Sequence, residues 1–395
     1  MPEREATTVK DLFAEAKDVS ELMVDLAYAG VFFGDQSIAR EVLSLRESMS
    51  DVVTRLRVIA TLAARSREDA SAMAGVLRMV ASMDKIADAA EDIARVVLKD
   101  LGIPAALRDD LRHAEEVTAR VRLREENLLA GKSLRDAALP SETGMWVIAI
   151  RRDVSFIFGP KGDEVLRAGD VLFAQGPEEG VNLLRELAGA PARVEADVEP
   201  TQLTGLDRAV DLLVEMKDAS EVAVGLAYSS VLLRDRGLAA EVAALEDATD
   251  EMHHELERWV LRAVREGAEP DALRGLLHLA FASERIADAA QEMTVVIESG
   301  EAPHPVIAQA LAETDEVVTS TSVAEESEAA ALTLRDLSLR TEIGMEVLAV
   351  QRGGRWIYGP RGEFRLGAGD RLIAVGPEEG AAALEELFGS SREEE

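Results

Sequence analysis

Apolar positions recur at three- and four-residue steps from Val9 onward. Val9, Leu12, Phe13, Ala16, Val19, Met23, Leu26, Ala27 and Gly30 share one helical face, and so do Ile38, Val42, Leu45, Met49, Val52, Leu56, Ile59 and Ala63. Met73, Leu77, Val80, Ile86, Ile93 and Val97 make a third run, and polar breaks at Gly34–Asp35 and Ser66–Asp69 separate the three. The pattern predicts three long antiparallel helices, each burying its stripe against the others. Gly102 and Pro104 interrupt the period, and a shorter helix is expected over Ala105–Thr118.

Around Val121 the period changes. The apolar run Met145–Ile150, then Ser155–Phe158, the turn Gly159–Pro160, the triplet Ala168–Gly169–Asp170 and the run Val171–Ala174 predict a small, mainly antiparallel sheet. Gly176–Pro177 ends it and opens a helix over Pro177–Leu187. Glu178 and Glu179 in its first turn oppose a phosphate at that N-terminus.

The whole pattern occurs twice. KDVSE at Lys17 returns as KDASE at Lys217, IADAA at Ile86 returns at Ile286, and GPEEG at Gly176 returns at Gly376, always 200 residues on. Gly131–Gly180 and Ala331–Gly380 share 25 identities in 50 ungapped positions, which makes the chain a tandem duplication. The expected domains are a helical bundle over 1–118, a small α/β module over 119–190, a linker over 191–203, a second bundle over 204–318 and a second module over 319–395. The fold class is therefore α+β and multidomain, with three-helix bundles alternating with α/β modules.

Composition narrows the functions. There is no cysteine, which removes disulfides, thiolate metal sites and cysteine nucleophiles. The 75 Asp and Glu against 43 Lys and Arg give a net charge of −32, which disfavours nucleic acid and anionic membrane as partners. An acid excess of this size, with 36 Arg to 7 Lys, is also what a protein adapted to concentrated salt carries. Met145–Ile150 is the longest apolar run, far short of a membrane span, and the first ten residues lack the apolar core of a signal peptide, so a cytoplasmic protein without membrane insertion is expected. No Ser/His/Asp arrangement and no HExxH spacing occurs, so no enzyme is expected. The adjacent His253 and His254 read as surface residues, and Trp146, Trp259 and Trp356 as packing residues.

Asp84 with Asp88, and Glu284 with Asp288, lie four apart on one helical face and are the candidate metal ligands. Glu21 and Asp25 repeat the spacing, but the second copy has Glu221 and Gly225. Arg151 and Arg152, with Gln351 and Arg352 at the equivalent places, end a core strand near Pro160 and Pro360. With Ile150 and Val350 as an apolar floor, these eight residues are the candidate contacts for a phosphate-bearing ligand.

The α/β units, with GKSLRD at Gly131, GMWVIAIRR at Gly144, AGD at Ala168 and FAQGP at Phe173, resemble the C-terminal (RCK-C) ligand-sensing module of TrkA-type potassium-transport regulators. The helical units, with MDKIAD at Met83 and SERIAD at Ser283, resemble the three-helix repeat of PhoU proteins, whose signature is an acid, three residues and then Asp. The resemblance implies a cytosolic regulatory subunit of cation transport, chiefly of potassium. Paired modules would bind a small ligand such as cyclic di-AMP or another nucleotide, and PhoU-like helices would relay the event to a membrane transporter or channel subunit. Six long helices in one chain could reproduce a whole PhoU bundle, and the two modules could pair within the chain or in a homodimer. No GxGxxG turn follows a strand, so a dinucleotide site of the NAD kind is not expected. Two rivals stand beside this reading: a PhoU-type regulator of phosphate uptake that binds a divalent metal, and a ligand-free adaptor.

Overall fold

The computed structural model describes residues 8–63, 65–104, 107, 117–153, 155–192, 204–298, 304–311, 317–324, 326–327, 329–353, 355–358, 360, 362 and 364–389. In chain order the first half consists of α1 (Val9–Phe33), α2 (Gln36–Ala63), α3 (Arg67–Leu98), β1 (Val117–Arg122), α4 (Leu134–Ala137), α5 (Leu139–Thr143), β2 (Trp146–Arg152), β3 (Ser155–Phe158), β4 (Val171–Gly176) and α6 (Glu178–Leu187). The second half repeats it with α7 (Gly205–Leu233), α8 (Arg236–Arg265), a 3-10 turn at Pro270–Leu273, α9 (Arg274–Glu298), α10 (Pro305–Leu311), β5 (Val317–Ser322), α11 (Leu334–Leu337), α12 (Leu339–Glu342), β6 (Glu346–Arg352), β7 (Arg355–Tyr358), β8 (Arg371–Gly376) and α13 (Glu378–Phe388). These elements form two compact units, one of Met1–Leu111 with Thr201–Thr314 and one of Arg112–Pro200 with Asp315–Glu395. Among the described residues no helix is long and apolar enough to cross a membrane.

The helical unit follows the sequence pattern closely. Thr8 and Asp11 form a capping box at the start of α1, and Thr204 and Asp207 repeat it on α7. Gly34 in the left-handed conformation stops α1, and Ser66 caps α3. Within each half the three helices pack on one another, and the halves join where α3 lies antiparallel to α9. Gly75 faces Val296 and Gly275 faces Val96 along this seam, and a Cβ on Gly275 would lie 2.1 Å from the Gly102 carbonyl oxygen. At its rim Lys85 Nζ donates to Glu292 Oε2 at 2.6 Å, and the equivalent Arg285 pairs with Asp92. Deeper in, buried Lys17 and Lys217 reach Glu21 and Glu221 at 2.6 Å. Each ammonium also lies over the ring of the other half's tyrosine, Tyr228 or Tyr28, at 5.3 and 5.6 Å. Glu21 is thereby committed to an ion pair.

Two expectations change. Thr118 lies in β1, an edge strand that the apolar pattern did not single out; most of the helix expected over Ala105–Thr118 falls outside the described residues. Pro177 is the N-cap of α6, one position before its first helical residue.

Each module is a four-stranded antiparallel sheet, in the order β1-β4-β2-β3 and β5-β8-β6-β7. A bulge between Val147 and Ala149, repeated between Val347 and Ala349, shifts the register of the second strand. One sheet face carries the core, with Val117, Ala119, Val121, Ile150, Leu172 and Ala174 packed against Leu139, Met145, Val181 and Leu184. On the other face the pairings bring Arg151 opposite Phe156 and Val171, and Ala149 opposite Phe158 and Phe173. Arg152 holds the Ala168–Asp170 turn. Its Nε and Nη2 donate to the two oxygens of buried Asp170 at 2.9 and 2.8 Å, and Nη1 donates to Glu164 at 2.8 Å. Arg352 grips Asp370 in the same way, but a ring, Phe364, stands 4.9 Å from its guanidinium where the first module has Glu164. Burial pushes the Asp370 carboxyl up, yet Arg352 and the Gly367 amide outweigh it and hold the group below the usual range.

Two outcomes follow from this packing. Arg152→Ala leaves Asp170 buried without its cation and is expected to cost about 3 kcal/mol. Arg352→Ala costs less because half of that side chain is already in water; urea melts of both variants measure the difference. Burial alone raises the carboxyls of Glu41 and Glu241, the latter to about 7. A carboxyl with a raised folded-state value keeps its proton in the native chain after the unfolded chain has lost it, so stability drains away as pH climbs from about 4.5 to about 7. The Tm of Glu41→Gln/Glu241→Gln, relative to the wild type, is therefore expected to rise across that window, and a constant difference would contradict the assignment.

Candidate ligand and metal sites

The two modules pair within the chain through α5 and α12. Gly144, at φ 72°, ends α5, and a Cβ there would lie 2.2 Å from the Arg340 carbonyl oxygen; at Gly344, φ 71°, it would lie 2.5 Å from the Pro140 carbonyl oxygen. Positions 140 and 340 are equivalent, so each glycine touches the other module's copy of the same residue, as across the two-fold of a homodimer. The crevice at this contact is lined by Gly144, Trp146, Pro177, Arg340, Gly344 and Glu346, among others. It is lopsided: Trp146 stands on one side, and on the other Glu346 is tied to Arg340 at 3.0 Å. The indole thus lines the module contact, a place the sequence pattern did not indicate.

The eight ligand candidates do not share one surface. Ile150 and Val350 are fully buried in the two module cores and cannot floor an open cleft. Arg152 and Arg352 are engaged by Asp170 and Asp370, so the strand-end arginines do structural work inside each module. Arg151 and Gln351 lie on the opposite sheet face and are half-buried, as are Pro160 and Pro360. The alternation of a strand explains the division: the bulge sets which of Ile150 and Arg151 faces the core, and apolar spacing alone does not reveal a bulge.

The metal candidates divide by half. In the first half Arg46, from α2, lies among the acids of α3. Its Nη2 is 3.0 Å from Asp84 Oδ1 and 2.6 Å from Asp88 Oδ1, and Arg57 approaches Asp84 at 3.7 Å. Asp84 and Asp88 thus have side-chain cations beside them, whereas Glu284 and Asp288 stand among further acids. In the second half Glu246 occupies the position of Arg46. Oxygens of Glu246, Asp250 and Asp288 lie within 4.8 Å of one another, a spacing that suits a hard cation. Burial, then the neighbouring Asp250, pushes the Glu246 carboxyl up to about 7, and burial likewise raises Glu284 and Asp288. Glu284 sits beside His253, whose Nδ1 is 3.0 Å from its Oε2. His253 is mostly enclosed and so is not the plain surface residue its adjacency to His254 suggested. Glu246 and Asp250 were missed because they lie on α8, one helix away from the Glu284/Asp288 pair; comparing them with Arg46 and Ser50 across the repeat was the available signal.

Comparison with known proteins accords with the duplication. The TrkA-C domain family matches residues 118–189 and 318–389, and the PhoU domain family matches residues 13–97 and 213–295. A probable potassium channel protein 2 from Methanocaldococcus jannaschii is 37% identical over 65 residues, which are 16% of this chain and 19% of that protein. The RCK_C domain dimer of S. agalactiae BusR, in complex with c-di-AMP, is similar at 24% identity over 18% of this chain and 89% of its own, with a TM-score of 0.18. PhoU from Pseudomonas aeruginosa is similar at 13% identity over 73% of this chain and 94% of its own, with a TM-score of 0.39. The chain is thus made of two PhoU domains and two TrkA-C domains in alternation, one of each in either copy of the repeat.

Proposed function

We propose that the chain is a regulator of potassium transport whose paired TrkA-C modules bind a nucleotide of the cyclic di-AMP kind. The pairing of the two modules through Gly144 and Gly344 carries this reading, because it gives one chain the two-fold frame that a two-fold ligand needs. The BusR domain dimer, bound to c-di-AMP, and the matched stretch of the potassium channel protein support the ligand class and the transport role. In this reading the half-buried Arg151 and Gln351, with Pro160 and Pro360, supply the ligand contacts on the sheet faces opposite the module cores. Arg152 and Arg352 keep the turns behind them in place. Ligand binding favours one arrangement of the modules, and the PhoU bundle conveys it to a membrane cation transporter at the cytoplasmic face.

A thermal-shift titration of the full chain in KCl with cyclic di-AMP, ATP and NAD tests the proposal. Cyclic di-AMP at 100 times its Kd is expected to stabilise the chain by about 2.7 kcal/mol. The shift should shrink in Arg151→Ala, which leaves the Arg152–Asp170 clamp whole. No shift with any nucleotide would leave a ligand-free adaptor.

The carboxylates of Glu246, Asp250 and Asp288 favour a second reading, a PhoU-type regulator of phosphate uptake that holds a divalent cation in its second half. Their all-oxygen donor set fits manganese or ferrous iron better than soft ions. Metal retained after dialysis is expected to fall in Glu246→Gln/Asp250→Asn, and equal retention in the wild type and the variant would end this reading.

A further inference from the structure

The two halves of the helical unit superpose residue for residue in sequence but invert the charge around one pair of acids. Around Asp84 and Asp88 stand Arg46, Ser50, Val53, Arg57 and Glu91; around Glu284 and Asp288 the same positions hold Glu246, Asp250, His253, Glu257 and Gln291. The first set has three carboxylates and two guanidiniums, whereas the second has five carboxylates and one imidazole.

The placement of Arg46 makes the difference specific. Its side chain is only 17% exposed, and its donors fan out over several acceptors. Nε donates to Asp88 Oδ1 at 2.7 Å and Nη1 to Ser50 Oγ at 3.0 Å; Nη2 meets Asp84 at 3.0 Å, and Glu91 stands 4.0 Å from Nε. A planar, permanently charged group fills the space between the carboxylates, hydrogen-bonded to Asp88 and in charge contact with Asp84. At the equivalent place in the second half stands a carboxyl in place of the guanidinium: Glu246 accepts from Gln291 Nε2 at 3.0 Å and shares a hydrogen bond with Asp288.

We infer that Arg46, backed by Arg57, is a built-in cation that permanently occupies the acidic cage of the first half, so that this half cannot take a metal ion. Any cation response of the helical unit then belongs to the second half alone. A guanidinium on α2 cannot dissociate, so the contact between α2 and α3 is fixed. At the matching contact between α8 and α9 the acids Glu246, Asp250 and Asp288 stand together, with His253 beside Glu284. The duplication has thus separated a fixed half from one that can respond. This inference does not depend on a ligand at the TrkA-C modules, nor on whether the second half of the wild type holds metal.

The test writes the second half's residues into the first. Full-length Arg46→Glu/Arg57→Glu is titrated with Mn2+, and free Mn2+ is counted by its electron paramagnetic resonance signal. The expected result is more Mn2+ bound per chain than in the wild type, with the gain abolished by adding Asp84→Asn/Asp88→Asn. In the wild-type background Asp84→Asn/Asp88→Asn should leave bound Mn2+ unchanged. A folded Arg46→Glu/Arg57→Glu that gains no Mn2+, or a wild type that loses Mn2+ on Asp84→Asn/Asp88→Asn, overturns the inference. Should the double charge reversal fail to fold by circular dichroism, Arg46→Ser/Arg57→Ser removes the guanidiniums while keeping Asp84, Asp88 and Glu91, and the same gain or its absence decides. A wild type that binds no Mn2+ beside a variant that does would reject the metal reading of the second half and uphold the built-in cation.

Discussion

The antiparallel seam between α3 and α9 is the contact on which the helical unit depends. Each half has three helices, and the third of each covers its apolar face against the third of the other. Gly275 has no room for a side chain, because a Cβ there would lie 2.1 Å from the Gly102 carbonyl oxygen. The rim pairs Lys85–Glu292 and Arg285–Asp92 are half-exposed and worth little by themselves. Their value is in register, since each can form only when Ile86 and Ile286 sit at matched heights along the seam. The crossed lysines, Lys17 over Tyr228 and Lys217 over Tyr28, work similarly, because a buried ammonium demands its partners in one geometry.

The TrkA-C pair obeys a parallel constraint built from backbone. Gly144, the C-cap of α5, and Gly344, two residues beyond α12, have positive φ and lie against carbonyls of the other module, where no side chain would fit. Such an isologous contact normally joins two chains. Covalent duplication frees the two sides to diverge, since a substitution no longer appears on both at once. Trp146 faces Glu346 in equivalence, Glu164 gives way to Phe364, and Arg151 to Gln351. The result is a frame with two-fold backbone geometry and one-sided chemistry.

The helical unit shows the same divergence with a larger electrostatic effect. Arg46 among Asp84, Asp88 and Glu91 forms a closed set of opposite charges, while Glu246 among Asp250 and Asp288 forms an open set of like ones. Burial raises the carboxyls of Glu246 and Asp288 because desolvation penalises their charged form, and the neighbouring Asp250 adds to the effect. One backbone thereby carries two electrostatic arrangements, acids around a guanidinium in the first half and acids beside acids in the second.

The sequence by itself determined the repeat, the three long helices of each half, the polar breaks between them and the presence of a small antiparallel sheet. These are local or periodic properties: a 3.6-residue stripe, and a run of polar residues that interrupts it. It also placed candidate acids correctly on one helical face at 84 and 88 and at 284 and 288. Tertiary structure alone decided what those residues meet. Arg46 and Glu246 come from a neighbouring helix some forty residues away, so no spacing rule along α3 or α9 contains them. Ile150 and Arg151 exchange roles according to a bulge that shifts the register of β2, and Arg152 is claimed by Asp170 only when the sheet brings residues 18 apart within 2.8 Å. Periodicity reports which side of an element turns inward, whereas the identity of the neighbour on that side depends on how the elements pack.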